Sequence, residues 1–130
     1  MKKLFIVLSL VIIAGIATLS AQNAETKQQK TDVKVYYFHL THRCATCQAV
    51  EAVAKESLND LYGNKVLFES INIENEEDNP LIKKYKVSGQ TLLIIKGDKV
   101  VDLTNQAFMN ARTNPDKYKA KIKSTIDPII

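Results

Sequence analysis

The sequence predicts an α/β domain in which helices cover both faces of a small mixed β-sheet. Runs of β-branched and aromatic residues alternate with amphipathic segments. A helix-length segment separates the first two runs, and a Gly-Asp turn separates the last two. A helical crossover makes the first pair of strands parallel, whereas a tight turn makes the last pair antiparallel. The predicted order of elements is therefore β-α-β-α-β-β-α.

The first strand and the first helix have the clearest patterns. A strand is predicted at residues 33–40, where valines and aromatic residues follow one another. A helix is predicted over 44–62, since apolar residues recur there at a spacing of three or four. Those residues are Cys47, Val50, Ala54, Leu58 and Leu61. Gly63 follows and is expected to end this helix, because glycine is common just after a helix C-terminus.

A second strand is predicted at residues 65–73, and a short second helix at 78–85. Pro80 suits the start of that helix, because its fixed φ and missing amide hydrogen are tolerated at the first helical position. A third strand at 90–96 leads through Gly97-Asp98 into a fourth.

The fourth strand spans 99–103, and the segment 106–112 is predicted to be helical. Thr113-Asn114-Pro115 then caps a final helix. Three apolar residues lie on one side of it: Tyr118, Ile122 and Ile126.

The chain begins with the pattern of a secretory signal peptide. Met1-Lys2-Lys3 is basic, residues 4–16 are apolar except for Ser9, and 17–21 are rich in small residues. We expect cleavage after Ala21 or Ser20. The alternative is an uncleaved anchor, which is the one way in which we expect the protein to contact a membrane.

Three segments follow from this pattern: a signal peptide at 1–21, a disordered polar linker at 22–32, and one folded domain at 33–130. A leader of this composition is typical of bacteria. We therefore expect a periplasmic or secreted protein, in a compartment where disulfides persist.

The composition gives no support for nucleic-acid binding. The formal net charge of +4 includes Lys2 and Lys3 of the leader. The sequence has no basic stripe with interleaved aromatic residues and no glycine-rich phosphate loop. We expect a monomer that binds no nucleic acid and has no cofactor.

The only two cysteines, Cys44 and Cys47, lie where the first strand gives way to the first helix. A helix start offers free backbone N–H groups and the positive end of the helix dipole, and both stabilise a thiolate. The pKa of a cysteine there can fall well below about 8.5. Two thiols at this spacing can also form a disulfide reversibly, so the motif predicts a dithiol/disulfide redox site.

This order of elements, with C-x-x-C at the start of the first helix, resembles the thioredoxin superfamily. Residues 85–100 are similar to the family's segment that leads into its third core strand and hairpin, and Asn72-Ile73-Glu74 is similar to the end of its second strand. The resemblance covers residues 33–126. It implies a thioredoxin-like fold with a four-stranded mixed sheet flanked by helices.

The sequence departs from the family in four places. No proline stands where the family has a cis-proline before the third core strand; Gln90 or Thr91 stands there. Phe38, six residues before Cys44, stands at the position of the family's buried acid, and Ser70 stands at the position of the lysine that partners this acid. Ala45-Thr46 between the cysteines matches neither thioredoxins nor their oxidising relatives, so the redox direction is left open.

Cys44 is expected to be the nucleophile, since it lies nearest the helix start, and Cys47 the resolving thiol. His42 and Arg43 are candidates for raising the positive potential near Cys44 and for contacting a substrate. The resemblance implies that a substrate would also lie over Gln90 and Thr91. The alternative for His42 and Arg43 is that they are ordinary charged residues of a solvated loop.

Glu51 lies four residues after Cys47, so the two share a helix face whose neighbours are apolar. A carboxylate in such a place is expected to have a raised pKa and is a candidate proton shuttle for Cys47. The alternative is a surface residue paired with Lys55.

These observations predict an enzyme, an exported thiol–disulfide oxidoreductase that acts on protein thiols or disulfides with a redox partner protein. One alternative is a non-catalytic binding module with a structural disulfide. Another is a copper or zinc site formed by Cys44, Cys47 and either His39 or His42, although we assign no metal ligand.

Overall fold

In the computed structural model, which describes residues 30–130, two strand–helix pairs are followed by two consecutive strands and then two consecutive helices. The elements are β1 (Val33–His39), α1 (Ala45–Tyr62), β2 (Leu67–Asn72), α2 (Pro80–Lys84), β3 (Thr91–Lys96), β4 (Lys99–Asp102), α3 (Thr104–Asn110) and α4 (Pro115–Ile126). A 3₁₀ turn, Gly63–Lys65, follows α1. The predicted signal peptide and the linker up to residue 29 lie outside the described residues.

The four strands form one mixed sheet in the order β2-β1-β3-β4. β1 pairs in parallel with β2 and antiparallel with β3, and β3 pairs antiparallel with β4. The predicted α/β fold with a four-stranded mixed sheet is therefore confirmed. Because β1 and β2 are parallel, the loops that follow them meet at the same edge of the sheet, and Cys44 lies at that edge.

Each face of the sheet packs against helices. Val35 and Tyr37 of β1 face a large core to which α1, α3 and α4 contribute. Tyr36 and Phe38 face a smaller core on the opposite side, where residues of α2 pack. This alternation follows from the strand geometry, in which successive side chains point to opposite faces.

The ends of α1 are set by its flanking residues. Cys44 is the N-cap, and its Sγ accepts a hydrogen bond of 3.1 Å from the Cys47 amide. Gly63 follows the last turn with φ of 57°, a left-handed conformation that favours glycine, and its N–H donates to the Asn59 carbonyl. Both ends agree with the prediction.

The third helix begins two residues earlier than the sequence predicted. Thr104 donates its amide and hydroxyl hydrogens to the Asp102 carboxylate, which turns the chain into the helix directly after β4. The sequence did not indicate this earlier start, because the apolar pattern of the segment begins only at Ala107 and Phe108.

None of the helices described between residues 30 and 130 combines the length and the apolar composition that a membrane crossing requires.

Candidate active site

The two cysteines form a disulfide at the N-terminus of α1, with their Cα atoms 5.0 Å apart. Cys44 is exposed, whereas only 1 % of the Cys47 surface is accessible. Cys44 therefore presents the sulfur that a second protein can reach, and Cys47 lies behind it in the core. The Cys47 amide, which donates to Cys44 Sγ, belongs to the free N–H groups of the first helical turn and would stabilise a thiolate there.

Tyr37 lies beneath this helix start and is fully buried. Its hydroxyl is 3.1 Å from two acceptors, the Cys47 carbonyl oxygen and Gln90 Oε1. Burial raises the pKa of Tyr37, while the neighbouring Arg43 opposes the rise. The phenol therefore stays protonated and able to donate at neutral pH, and it connects the cysteine-bearing helix to the start of β3.

Gln90 lies at the site, whereas the side chain of Thr91 bonds to the backbone two residues before it. Gln90 is half-buried, and its Oε1 accepts the hydrogen bond from Tyr37. The Thr91 hydroxyl donates to the Gly89 carbonyl over 3.0 Å. No peptide bond within residues 30–130 is cis. Of the two residues considered for the position of the missing proline, Gln90 is the one that contacts Tyr37 beneath the cysteine-bearing helix.

Arg43 and Glu51 are paired with each other. Arg43 Nη2 contacts Glu51 Oε2 in an ion pair that is part-buried, and Arg43 Cζ lies 5.7 Å from the centroid of the Tyr37 ring. Lys55 Nζ reaches the other carboxylate oxygen of Glu51 at 2.7 Å. The predicted pairing of Glu51 with Lys55 is present, but Arg43 was not foreseen as its second partner.

The predicted rise in the pKa of Glu51 is wrong. Burial does raise the pKa of this carboxyl, but hydrogen bonds and charges from Lys55 and Arg43 more than offset it, so the net shift is downward. Glu51 remains ionised near neutral pH and is not poised to accept a proton there. Its assignment as a proton shuttle for Cys47 therefore loses its physical basis.

Tyr37 and Phe38 lie on opposite faces of the sheet. Phe38 packs on the α2 side of the sheet, away from the cysteines. Tyr37 faces α1 and is paired in register with Ser70, the residue counted as the acid's lysine partner. Tyr37 therefore holds the place beneath the disulfide. The sequence did not reveal this arrangement, since residues 35–38 are all apolar or aromatic, which hides the face to which each one points.

The loop that precedes Cys44 is held by the end of β2. The Thr41 amide donates to Glu74 Oε2 over 2.7 Å, and the side chains of Thr41 and Asn72 are within hydrogen-bond distance. The Thr41 amide and hydroxyl lower the pKa of Glu74. Glu74 thus supports the loop that leads to Cys44.

The histidines do not form a metal site with the cysteines. His42 is exposed, and the Nδ1–H group of the half-buried His39 donates to the Leu40 carbonyl over 2.9 Å. Within the described part of the chain, no three residues among His, Cys, Asp and Glu are clustered closely enough to hold a metal ion. The geometry therefore does not favour the copper or zinc alternative.

Comparison with known proteins identifies the fold. No family model and no curated protein matches the sequence. The structure is similar to that of Deadhead, a germline-specific thioredoxin from Drosophila melanogaster, with a TM-score of 0.50 and 21% identity over 75% of this chain and 81% of the other. A malarial protein aligns with a TM-score of 0.49 and 19% identity, over 71% of this chain and 94% of the other. The chain is thus a thioredoxin-like protein by fold, with a C-x-x-C pair at the start of its first helix.

Proposed function

We propose that the protein is a thiol–disulfide oxidoreductase that exchanges disulfides with other proteins through Cys44 and Cys47. The observation that carries this proposal is the asymmetry of the pair, with an exposed cysteine at the helix start and a buried cysteine directly behind it. A disulfide with a purely structural role needs no exposed cysteine at a helix N-terminus, whereas a nucleophilic cysteine has to be accessible there.

The chemistry balances as a two-step exchange. The Cys44 thiolate attacks one sulfur of a target disulfide, a mixed disulfide forms, and the other target sulfur leaves as a thiolate. The Cys47 thiol loses its proton, and its thiolate then attacks Cys44. This step forms the Cys44–Cys47 bond and releases the second target thiolate. Two electrons pass from the protein to the target, and the reverse sequence oxidises a target dithiol.

A glutathione titration tests this proposal. Purified protein is equilibrated in buffers of defined glutathione ratio, and the fraction of dithiol is measured by thiol alkylation and mass. We expect reversible exchange and a reduction potential above about −300 mV, within the range of working oxidoreductases. A slowly reduced bond with a potential below about −300 mV would instead support the binding-module alternative, since structural disulfides lie there.

We also propose that the protein is exported to the periplasm or the outside of a bacterial cell. The basic and apolar composition of residues 1–21 supports this proposal, together with the Cys44–Cys47 disulfide, since disulfides persist in oxidising compartments. Expression with the natural leader in a bacterial host should give exported protein whose N-terminus follows Ser20 or Ala21, as read by mass spectrometry. Full-length protein confined to the cytosolic fraction would contradict export.

A further inference from the structure

A part-buried ion pair lies beside the disulfide. Arg43 directly precedes Cys44, and Glu51 follows Cys47 by about one helical turn. Their side chains are 24% and 12% exposed, so water screens the two charges less than it would on the open surface.

Tyr37 connects this pair to the cysteines. The Arg43 guanidinium stacks near the Tyr37 ring, whose hydroxyl is hydrogen-bonded to the Cys47 carbonyl. Glu51 shares a helix face with Cys47, because residues four apart are neighbours on a helix. Arg43 is thus linked to Cys47 through Tyr37, and Glu51 lies about one helical turn from Cys47.

The third charge of the group lies farther out. Lys55 contacts Glu51 from the solvent side, and its side chain is 56% exposed. Lys55 therefore neutralises part of the Glu51 charge from a more exposed position than that of Arg43. This arrangement supplies a matched control, since Arg43 and Lys55 carry the same charge and contact the same carboxylate.

We propose that Arg43 and Glu51 form a compensating charge pair that sets the reduction potential of the Cys44–Cys47 disulfide. Arg43 favours the reduced form, and Glu51 opposes it. The reason is that the disulfide is neutral, whereas the dithiol form carries an anionic thiolate at the helix start. The inference rests on the proposed function, because it concerns the potential at which the same bond exchanges. Arg43 and Glu51 act through their charges on the stability of the thiolate, and neither of them is a catalytic residue.

Glutathione supplies the electrons in the test. Two glutathione thiols give up two electrons and two protons, the Cys44–Cys47 bond breaks, and one glutathione disulfide forms. The equilibrium constant of this reaction is measured for each variant of the full mature chain, at about pH 8, close to the ordinary pKa of a thiol.

The two single variants should shift this constant in opposite directions. Glu51→Gln leaves the Arg43 charge uncompensated and should favour the reduced form by roughly three- to tenfold, which corresponds to about 14 to 30 mV. Arg43→Gln leaves Glu51 uncompensated on that side and should disfavour the reduced form by a similar factor. The double variant should return close to the wild-type constant.

Two controls separate charge from packing. Arg43→Lys keeps the charge and should stay near the wild-type constant, whereas Arg43→Met keeps the apolar stem on Tyr37 and should behave like Arg43→Gln. Lys55→Gln removes the same charge from a more exposed place and should change the constant by less than Arg43→Gln. Thermal unfolding of the oxidised proteins shows which variants are folded.

Opposite shifts that cancel in the double variant support the inference. Shifts in the same direction, or unchanged constants in folded variants, overturn it and leave the proposed function intact. A wild-type disulfide that does not equilibrate with glutathione overturns both.

Discussion

Replacing Cys47 by serine should trap protein targets on Cys44 as mixed disulfides, and replacing Cys44 by serine should abolish exchange. The physical reason is accessibility. Cys44 is exposed at the start of α1, whereas only 1 % of Cys47 is accessible, so Cys47 cannot reach a disulfide on a folded target. Without Cys47, nothing within the chain resolves the mixed disulfide, because these are its only cysteines.

The trapping is measured on non-reducing gels and by mass, with a folded protein disulfide as the target. The Cys47→Ser protein should add the mass of one target chain, and this adduct should disappear with reductant. The Cys44→Ser protein should react no faster than the double serine variant. Equal trapping through either cysteine would show that exposure does not decide the order of attack.

Truncation of Tyr37 should give the largest loss of stability near the site. Tyr37 is fully buried, and its hydroxyl serves the Cys47 carbonyl and Gln90. Tyr37→Ala removes a large core side chain and should lower the free energy of unfolding by about 3–5 kcal/mol, as measured for other buried aromatic residues. Tyr37→Phe removes only the donor and should cost about 1–3 kcal/mol, since a buried acceptor is left without its partner.

Denaturant unfolding of the oxidised proteins measures these losses. Tyr36→Phe is the matched control, because it removes the same hydroxyl from the neighbouring residue, on the opposite face of the sheet and away from the cysteines. We expect it to lie within about 0.5 kcal/mol of wild type, because within the described residues the Tyr36 hydroxyl has no hydrogen-bond partner to lose and is not a fully buried polar atom. A Tyr37→Phe protein as stable as this control would show that the hydroxyl contributes nothing to the site.

The positions of most elements could be predicted because their signals are local. The three-to-four spacing of apolar residues marked α1 and α4, and Gly63 marked the end of α1. The Gly97-Asp98 turn identified the β3–β4 hairpin. The C-x-x-C motif pointed to the helix start for the same reason, since a boundary between two periodic patterns is visible in a short stretch of sequence.

The surroundings of the cysteines could not be predicted in the same way. Glu51 was expected either to be a carboxylate with a raised pKa on an apolar face or to pair with Lys55, yet Arg43 contacts it as well. The contact with Arg43 depends on how the loop before Cys44 turns back over Tyr37. Glu74 likewise meets Thr41 across 33 positions of the chain.

By itself, the sequence determined the α/β class, the order of strands and helices, and the placement of Cys44 at a helix start. The tertiary structure decided which side chain lies beneath the disulfide and which charges compensate each other beside it. The difference has a physical cause. Periodicity and helix termini depend on residues a few positions apart, whereas an ion pair and a buried hydroxyl depend on which faces the packed sheet and helices bring together.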